Sequence, residues 1–189
     1  MNLLENYLRE FSDRVNYVSV TGISNVTGII NPINKVAELA LYRSEFFGRL
    51  RQALGNRRGF KIVGDRFVFQ SEVLFSSASA DLNIQGQNQI AQLARTLNEI
   101  SDRIPQNLNW VLRVDGHTDR RPIKTLKFPS NWELSSARAI AVVRELISHG
   151  VKAKHLVAAG FGEFQPIDPR NDEIADRRNR RIEFKLTQR

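Results

Sequence analysis

Between residues 60 and 186, short strand-like runs alternate with two long helical ones, and this order constrains the fold more than any other feature of the chain. Phe60 to Val63 and Arg66 to Gln70 alternate in hydropathy and are joined through Gly64-Asp65, a hairpin signal. Val73 to Phe75 reads as a further short strand before the small, polar Ser76-Ser77-Ala78-Ser79-Ala80 turn. From Asn83 to Ile104 the apolar residues Ile90, Leu93, Ala94, Leu97 and Ile100 fall on one helical face, with Pro105 as the stop. Trp110 to Gly116 reads as a strand, Trp132 to His149 as a helix closed by Gly150, and His155 to Phe161 and Ile182 to Leu186 as strands. Strands alternating with helices predict an α/β fold, with helices packed on one sheet and at least one parallel crossover.

The first third of the chain differs. Residues 1–31 read as an arm or linker: Leu3, Leu4, Tyr7, Leu8 and Phe11 fit one face of a short helix, and 15–30 is rich in Val, Thr, Ser, Gly and Ile. Residues 32–59 read as a linker helix, with Asn31 as cap and Pro32 in its first turn. Ile33, Val36, Ala40, Phe47, Leu50 and Leu54 follow a helical spacing that Arg43 interrupts and Gly55 ends. Its second half is expected to pack on the domain of residues 60–189, while self-association through the first half stays open.

Composition excludes several function classes. No run of 18 or more apolar residues and no basic, then apolar, leader is present, so neither a membrane span nor a signal peptide is expected in the sequence as written. With no cysteine, disulfides and thiolate metal sites drop out. The net charge of +8 raises the question of a polyanionic partner. Arginines gather at Arg57-Arg58 and at Arg177-Arg178 with Arg180-Arg181, and aromatics do not interleave with those clusters. No nucleic-acid partner is expected; a solvated basic face or a carboxylate-bearing polymer fits better.

The chemistry concentrates between Val111 and Arg138. Asp115, His117 and Asp119 would share one side of an extended chain, which invites a metal reading and a metal-dependent hydrolase. That reading lacks a third firm ligand and a second shell, and Gly116 favours ending the strand, so no metal is expected. Ser130 with Glu133 has the form of a capping box, and Asn131 is itself a competent cap. Leu134 and Arg138 then lie one turn apart on one face, and the Arg138 guanidinium can reach back over the helix N-terminus. With its free N–H groups, that corner is an anion site. Asp119 across from it makes either a two-sign pocket or merely an Asp119–Arg138 salt bridge, and spacing alone favours the salt bridge.

The motifs in order resemble a known family. Gly116-His117-Thr118-Asp119, Asn131 through Leu134-Ser135 to Arg138-Ala139, Gly160-Phe161-Gly162-Glu163 with Pro166, and Asn179-Arg180-Arg181-Ile182-Glu183 look like the OmpA-like peptidoglycan-binding domain, over about residues 60 to 188. Arg120-Arg121-Pro122-Ile123 and Ser130-Asn131-Trp132-Glu133-Leu134-Ser135 are similar to the MotB branch, whose members anchor flagellar stators. The resemblance implies an OmpA-like mixed-sheet α/β sandwich, with a βαβαβ core behind an N-terminal helical linker. It implies non-catalytic binding of the diaminopimelate-containing stem peptide of peptidoglycan, without cofactor. Asp119 would meet the ligand ammonium and Arg138 its carboxylate; Thr118, Asn131 and Leu134 would shape the pocket. Phe75 would correspond to a phenylalanine of the loop after the first core strand, and Arg181 to the C-terminal motif, structural or beside the pocket. The longer Ser-Ala stretch departs from the family pattern and leaves contacts by Ser76 or Ser77 open. The resemblance further implies a periplasmic module, held in full-length form at the inner membrane and working as a homodimer with an ion-channel partner. The same anchor could instead serve an outer-membrane or secretion assembly. Charge-assisted contacts to so small a ligand suggest micromolar to millimolar affinity, for which avidity favours a dimer.

Overall fold

A computed structural model describes residues 40–46, 48–49, 52, 60–76, 78–105 and 108–188. The arm of residues 1–31, the helix start at Pro32 and the positions Phe47, Leu50, Leu54 and Gly55 lie outside the described residues. The chain divides into units 1–41 and 42–189, and the second holds the fold.

That fold is one five-stranded sheet: β1 (Phe60–Val63), β2 (Arg66–Gln70), β3 (Trp110–His117), β4 (Leu156–Gly160) and β5 (Arg181–Gln188), in the order β1-β2-β5-β3-β4. β3 and β4 are parallel and every other pairing is antiparallel, so the sheet is mixed, as the alternation of elements requires. The helices are α1 (Ser71–Leu74), α2 (Ile84–Ser101), α3 (Asn131–Ser148) and α4 (Glu173–Asn179); α3 is the crossover between β3 and β4.

Strand alternation gives the sheet two unlike faces. Leu112 pairs with Leu186 and Val114 with Phe184, all fully buried. Phe67 pairs with Phe184 and Phe69 with Ile182. Onto this apolar face α2 turns Ile90, Leu93, Leu97 and Ile100, and α3 turns Ala139, Val142 and Leu146. The helix starts follow the expected chemistry: the Asn83 side chain accepts from the Gly86 N–H, and Ser130 Oγ accepts from Trp132 N–H. α2 ends at Ser101, short of Ile104, where Arg103 N–H takes Ile100 O at 2.9 Å and the last turn tightens.

α3 lies directly on strand backbone. A Cβ on Gly116 would sit 2.2 Å from the Ser135 carbonyl oxygen, and one on Gly160 2.2 Å from Ser136 Oγ. Only glycine permits that approach at the carboxyl ends of β3 and β4.

Two segments differ from the sequence expectation. Val73 to Phe75 is not a strand: Ser71–Leu74 forms one helical turn, closed by the Phe75 N–H on Ser71 O, and Phe75 then makes an isolated bridge to Leu82. The Ser71 N–H is held by Arg180 O, so tertiary context overrides the β-propensity of Val73 and Phe75. α4 was not expected. It buries Ala175, Asp176 and Asn179, a face with little apolar signature. Before β1, Phe46 is buried edge-to-face against Phe67, with centroids 5.5 Å apart. Arg43 pairs with Asp65, and Glu45 with Arg103, so this part of the linker helix packs on the sheet domain.

Candidate functional site

A cavity of about 770 Å³ opens between α1, the 75–83 loop, the segment after β3 and the first turns of α3. That size suits a small ligand or a short peptide. Phe75, Thr118, Asp119, Asn131, Leu134 and Arg138 all line it. Ser76 lines it too, while Ser77 lies outside the described residues.

The wall is built locally. The Asn131 side-chain amide, in the first turn of α3, donates to the carbonyls of Asp119 at 3.4 Å and Arg121 at 3.1 Å, fixing the loop that carries Asp119. Leu134 closes one side in a small apolar cluster with Ala80 and Phe128. Thr118 is held through its N–H on Gly162 O at 2.9 Å. Its hydroxyl is buried with no hydrogen-bond partner among the described residues.

Arg138 is the most informative group. Only 5% exposed, it donates Nε–H to Ser79 O at 2.8 Å and lies over the Phe75 ring, Cζ 5.2 Å from the centroid. Ser79 follows Ala78, whose φ of 51° is left-handed and unusual for a residue with a Cβ. No carboxylate lies within ion-pair distance of Arg138 among the described residues. Burial lowers its pKa to about 10, with Arg180 adding to that effect and Glu72 and Asp119 opposing it, so the group stays cationic at neutral pH.

Asp119 has a different partner from the one that spacing suggested. Its Oδ2 takes Arg180 NH1 at 2.5 Å and its Oδ1 the Arg121 N–H at 3.0 Å. Arg180 continues to Glu72 at 2.5 Å and Glu173 at 3.3 Å, and Arg121 pairs with Glu173 and Asp176. Burial lowers the Arg180 pKa, but the hydrogen bonds and charges of Asp119 and Glu72 outweigh it, and the net shift is upward. The lining therefore holds three acids, Glu72, Asp119 and Glu173, against Arg121, Arg138 and Arg180. Arg138 alone of these makes no ion pair among the described residues.

Arg181 does not line the cavity, which corrects the expectation for that residue. It starts β5 on the sheet face away from α2 and α3, fully buried, with Nε on Glu183 Oε1 at 2.6 Å and its other nitrogens on the Asn179 and Gln165 carbonyls. On the same face Arg66 holds Glu183 at 2.7 Å and Arg113 grips both oxygens of Asp115. His117 lies there, neither ring nitrogen with a hydrogen-bond partner among the described residues, Nε2 3.8 Å from Glu183 Oε1 and the ring stacked 5.0 Å from Phe161. Asp115, His117 and Glu183 converge closely enough for a metal ion, with Glu183 rather than Asp119 as the third member. The donor set does not suit one. Both carboxylates are already bonded to guanidinium groups, and Arg66, Arg113 and Arg181 fill the surroundings with positive charge.

Comparison with known proteins places the fold that carries this cavity. The OmpA family model matches residues 74–180, from the end of α1 to the start of β5. The chain belongs to the OmpA family. Motility protein B of Helicobacter pylori is 32% identical over 123 residues, 64% of this chain and 45% of that protein. The chain spans a little under half the length of the curated relatives it matches. Among solved structures, the periplasmic domain of Helicobacter pylori MotB (residues 78–256) superposes with a TM-score of 0.57 and 25% identity, over 68% of this chain and 80% of that one. The cell wall anchor of the type VI secretion system from Pseudomonas aeruginosa gives a TM-score of 0.56 and 29% identity, over 79% and 96%. Within this OmpA-family fold the sequence motifs locate the cavity but miss Glu72, Arg121, Glu173 and Arg180. Only Arg180 carried a usable signal. Arg181 and Glu183 share one strand face opposite Ile182 and Phe184, which leaves Arg180, before the strand, free to turn toward the cavity.

Proposed function

We propose that this OmpA-family domain is a non-catalytic peptidoglycan anchor that holds the zwitterionic end of a diaminopimelate-containing stem peptide. The reading rests on one observation: Arg138 is buried in the cavity wall with no carboxylate paired to it among the described residues. An unneutralised buried guanidinium is costly unless a ligand completes it. The ligand carboxylate takes the guanidinium N–H groups that Ser79 O leaves over. The ligand ammonium meets Asp119, whose carboxylate has lone pairs to spare beside Arg180, while Arg180 keeps Glu72 and Glu173. Both signs are thus presented within one cavity, and no nucleophile, base and oxyanion arrangement is needed.

The periplasmic MotB domain and the secretion-system wall anchor supply the setting: a periplasmic module tying a membrane complex to the wall, MotB-like in its helix start. The alternative assembly, a secretion or outer-membrane machine, rests on the secretion-system neighbour. Residues 1–31 serve as arm and 32–59 as linker helix toward that complex, with a homodimer multiplying weak contacts. Calorimetry with a diaminopimelate-containing tripeptide, beside its lysine-containing counterpart, tests the ligand. Saturable binding is expected for the first, with at least tenfold weaker binding for the second. Equal affinities would reject the zwitterion assignment, and no binding to either peptide or to isolated sacculi would reject the anchor.

A further inference from the structure

Beside the cavity two aromatic rings stand in solvent. Trp132 is 48% and Phe164 60% exposed, and they stack on each other with centroids 5.2 Å apart and planes 26° apart. Trp110, the other tryptophan, is 3% exposed and stacked on His155, so exposure is a property of this site and not of the residue type in this chain. Neither ring contributes to the core, and exposed aromatic surface held in a fixed geometry marks a contact site.

The pair is held to the cavity. Trp132 directly follows Asn131, whose side chain lines the cavity and fixes the Asp119 loop. Phe164 sits on the turn after β4. There the Gly162 N–H donates to Ser135 Oγ at 3.0 Å, and the Gly162 carbonyl accepts from Thr118 N–H at 2.9 Å. Gly162 has a φ of 55°, and a Cβ there would press to 3.4 Å from the Phe164 ring. The same hydrogen bonds that place Thr118 in the cavity therefore place Phe164 against Trp132. Exposed hydrogen-bonding side chains, Glu133 and Gln165, follow the two aromatics in sequence.

We propose that Trp132, with Phe164 stacked on one of its faces, forms a saccharide platform whose outer face takes one pyranose ring of the glycan strand whose stem peptide occupies the cavity. A pyranose presents C–H groups on its faces and hydroxyls at its edge. The C–H face suits the electron-rich face of an aromatic ring, and the edge suits Gln165 and the Glu133 oxygen that Ser130 does not occupy. The spacing is right. Three extended peptide residues span about 10 Å, and a helix with its side chains is about 10–12 Å across. A stem peptide held at Arg138 can cross the N-terminus of α3 and deliver its sugar to Trp132. This inference rests on the stem-peptide reading above and extends it to the polymer's backbone.

The test uses the full chain and three soluble probes: a diaminopimelate tripeptide, the muropeptide carrying the same tripeptide on its sugars, and an N-acetylglucosamine tetramer. Wild-type protein is expected to bind the muropeptide about tenfold more tightly than the tripeptide. Trp132→Ala and Phe164→Ala each bring that ratio close to one with tripeptide affinity unchanged, and Trp132→Phe retains most of it. A ratio that survives Trp132→Ala, or an equal loss for both probes, overturns the platform. So does a wild-type ratio of one. Conversion of a dimer to a monomer by Trp132→Ala in sedimentation would assign the rings to a second copy of the chain and overturn it as well. If the wild-type protein binds no tripeptide, the stem-peptide reading fails and the tetramer decides the platform alone. A saturable change in tryptophan emission, lost in Trp132→Ala, supports it, and no change refutes it.

Discussion

Arg138 and Arg181 are both buried, yet they are solvated by the protein in opposite ways. Arg181, on the far sheet face, has Glu183 at 2.6 Å and two backbone carbonyls, so its charge and most of its donors are satisfied internally. Arg138, at the cavity, has one carbonyl and an aromatic face and, among the described residues, no carboxylate. The difference separates structure from binding: a buried ion with its counter-ion in place belongs to the fold, and one without it is poised for a ligand. Sequence position alone cannot make that separation.

The comparison breaks most readily at Arg181. Arg181→Met leaves Glu183 buried with only Arg66, and a loss of about 3–5 kcal/mol in urea unfolding is expected. Adding Glu183→Leu should recover most of that loss. A single substitution costing under about 1 kcal/mol would place Arg181 in the same class as Arg138.

Acidification probes the same far face. Burial chiefly, with the charges of Arg181, Arg66 and Arg113 assisting and Glu183 opposing, lowers the His117 pKa from 6.5 to about 4. The unfolded chain therefore takes up a proton that the folded one refuses. Stability should fall as pH drops from about 6.5 to about 4, by on the order of 3 kcal/mol, and this contribution should be flat below that range. His117→Phe, which keeps a ring against Phe161, should remove this part of the slope. An unchanged pH profile in that variant would move the titration to other groups.

At the cavity the expected effects reverse. Arg138→Met should leave the unfolding midpoint almost unchanged and weaken stem-peptide binding by about 10- to 100-fold, roughly 1.5–3 kcal/mol for the lost charge-assisted contacts. A large stability loss with binding intact would make Arg138 structural. The smallest effect is expected at Phe75. Phe75→Leu removes the ring beneath the guanidinium and should cost binding about 0.5–1 kcal/mol, a factor of two to five, readable by calorimetry.

The sheet and long helices were legible because their signals are local and repeated: alternation in β2, β3 and β5, and the caps at Asn83 and Ser130. That Phe75, Thr118, Asp119, Asn131, Leu134 and Arg138 meet around one cavity was legible through the family resemblance, since its motifs follow the elements that carry them. Three features were not. α4 buries Asp176 and Asn179, so hydropathy gives no period to follow. α1 holds β-formers in a helical turn because Arg180 O anchors Ser71 N–H from far along the chain. The choice of Arg180 for Asp119 depends on strand parity at the start of β5 and on Glu72 and Glu173 arriving from separate elements.

The glycines under α3 have a mechanical consequence. At Gly116 the Ser135 carbonyl meets strand backbone directly, and at Gly160 only the short Ser135 and Ser136 side chains intervene, so at this end of the helix little lies between α3 and the strands to deform. A tug on a ligand held by Arg138 passes from α3 into the backbones of β3 and β4 with little give. There the parallel ladder, from Leu112–Leu156 to Gly116–Gly160, meets it as shear across several hydrogen bonds at once. In the proposed wall anchor, stiffness at this joint would matter as much as affinity.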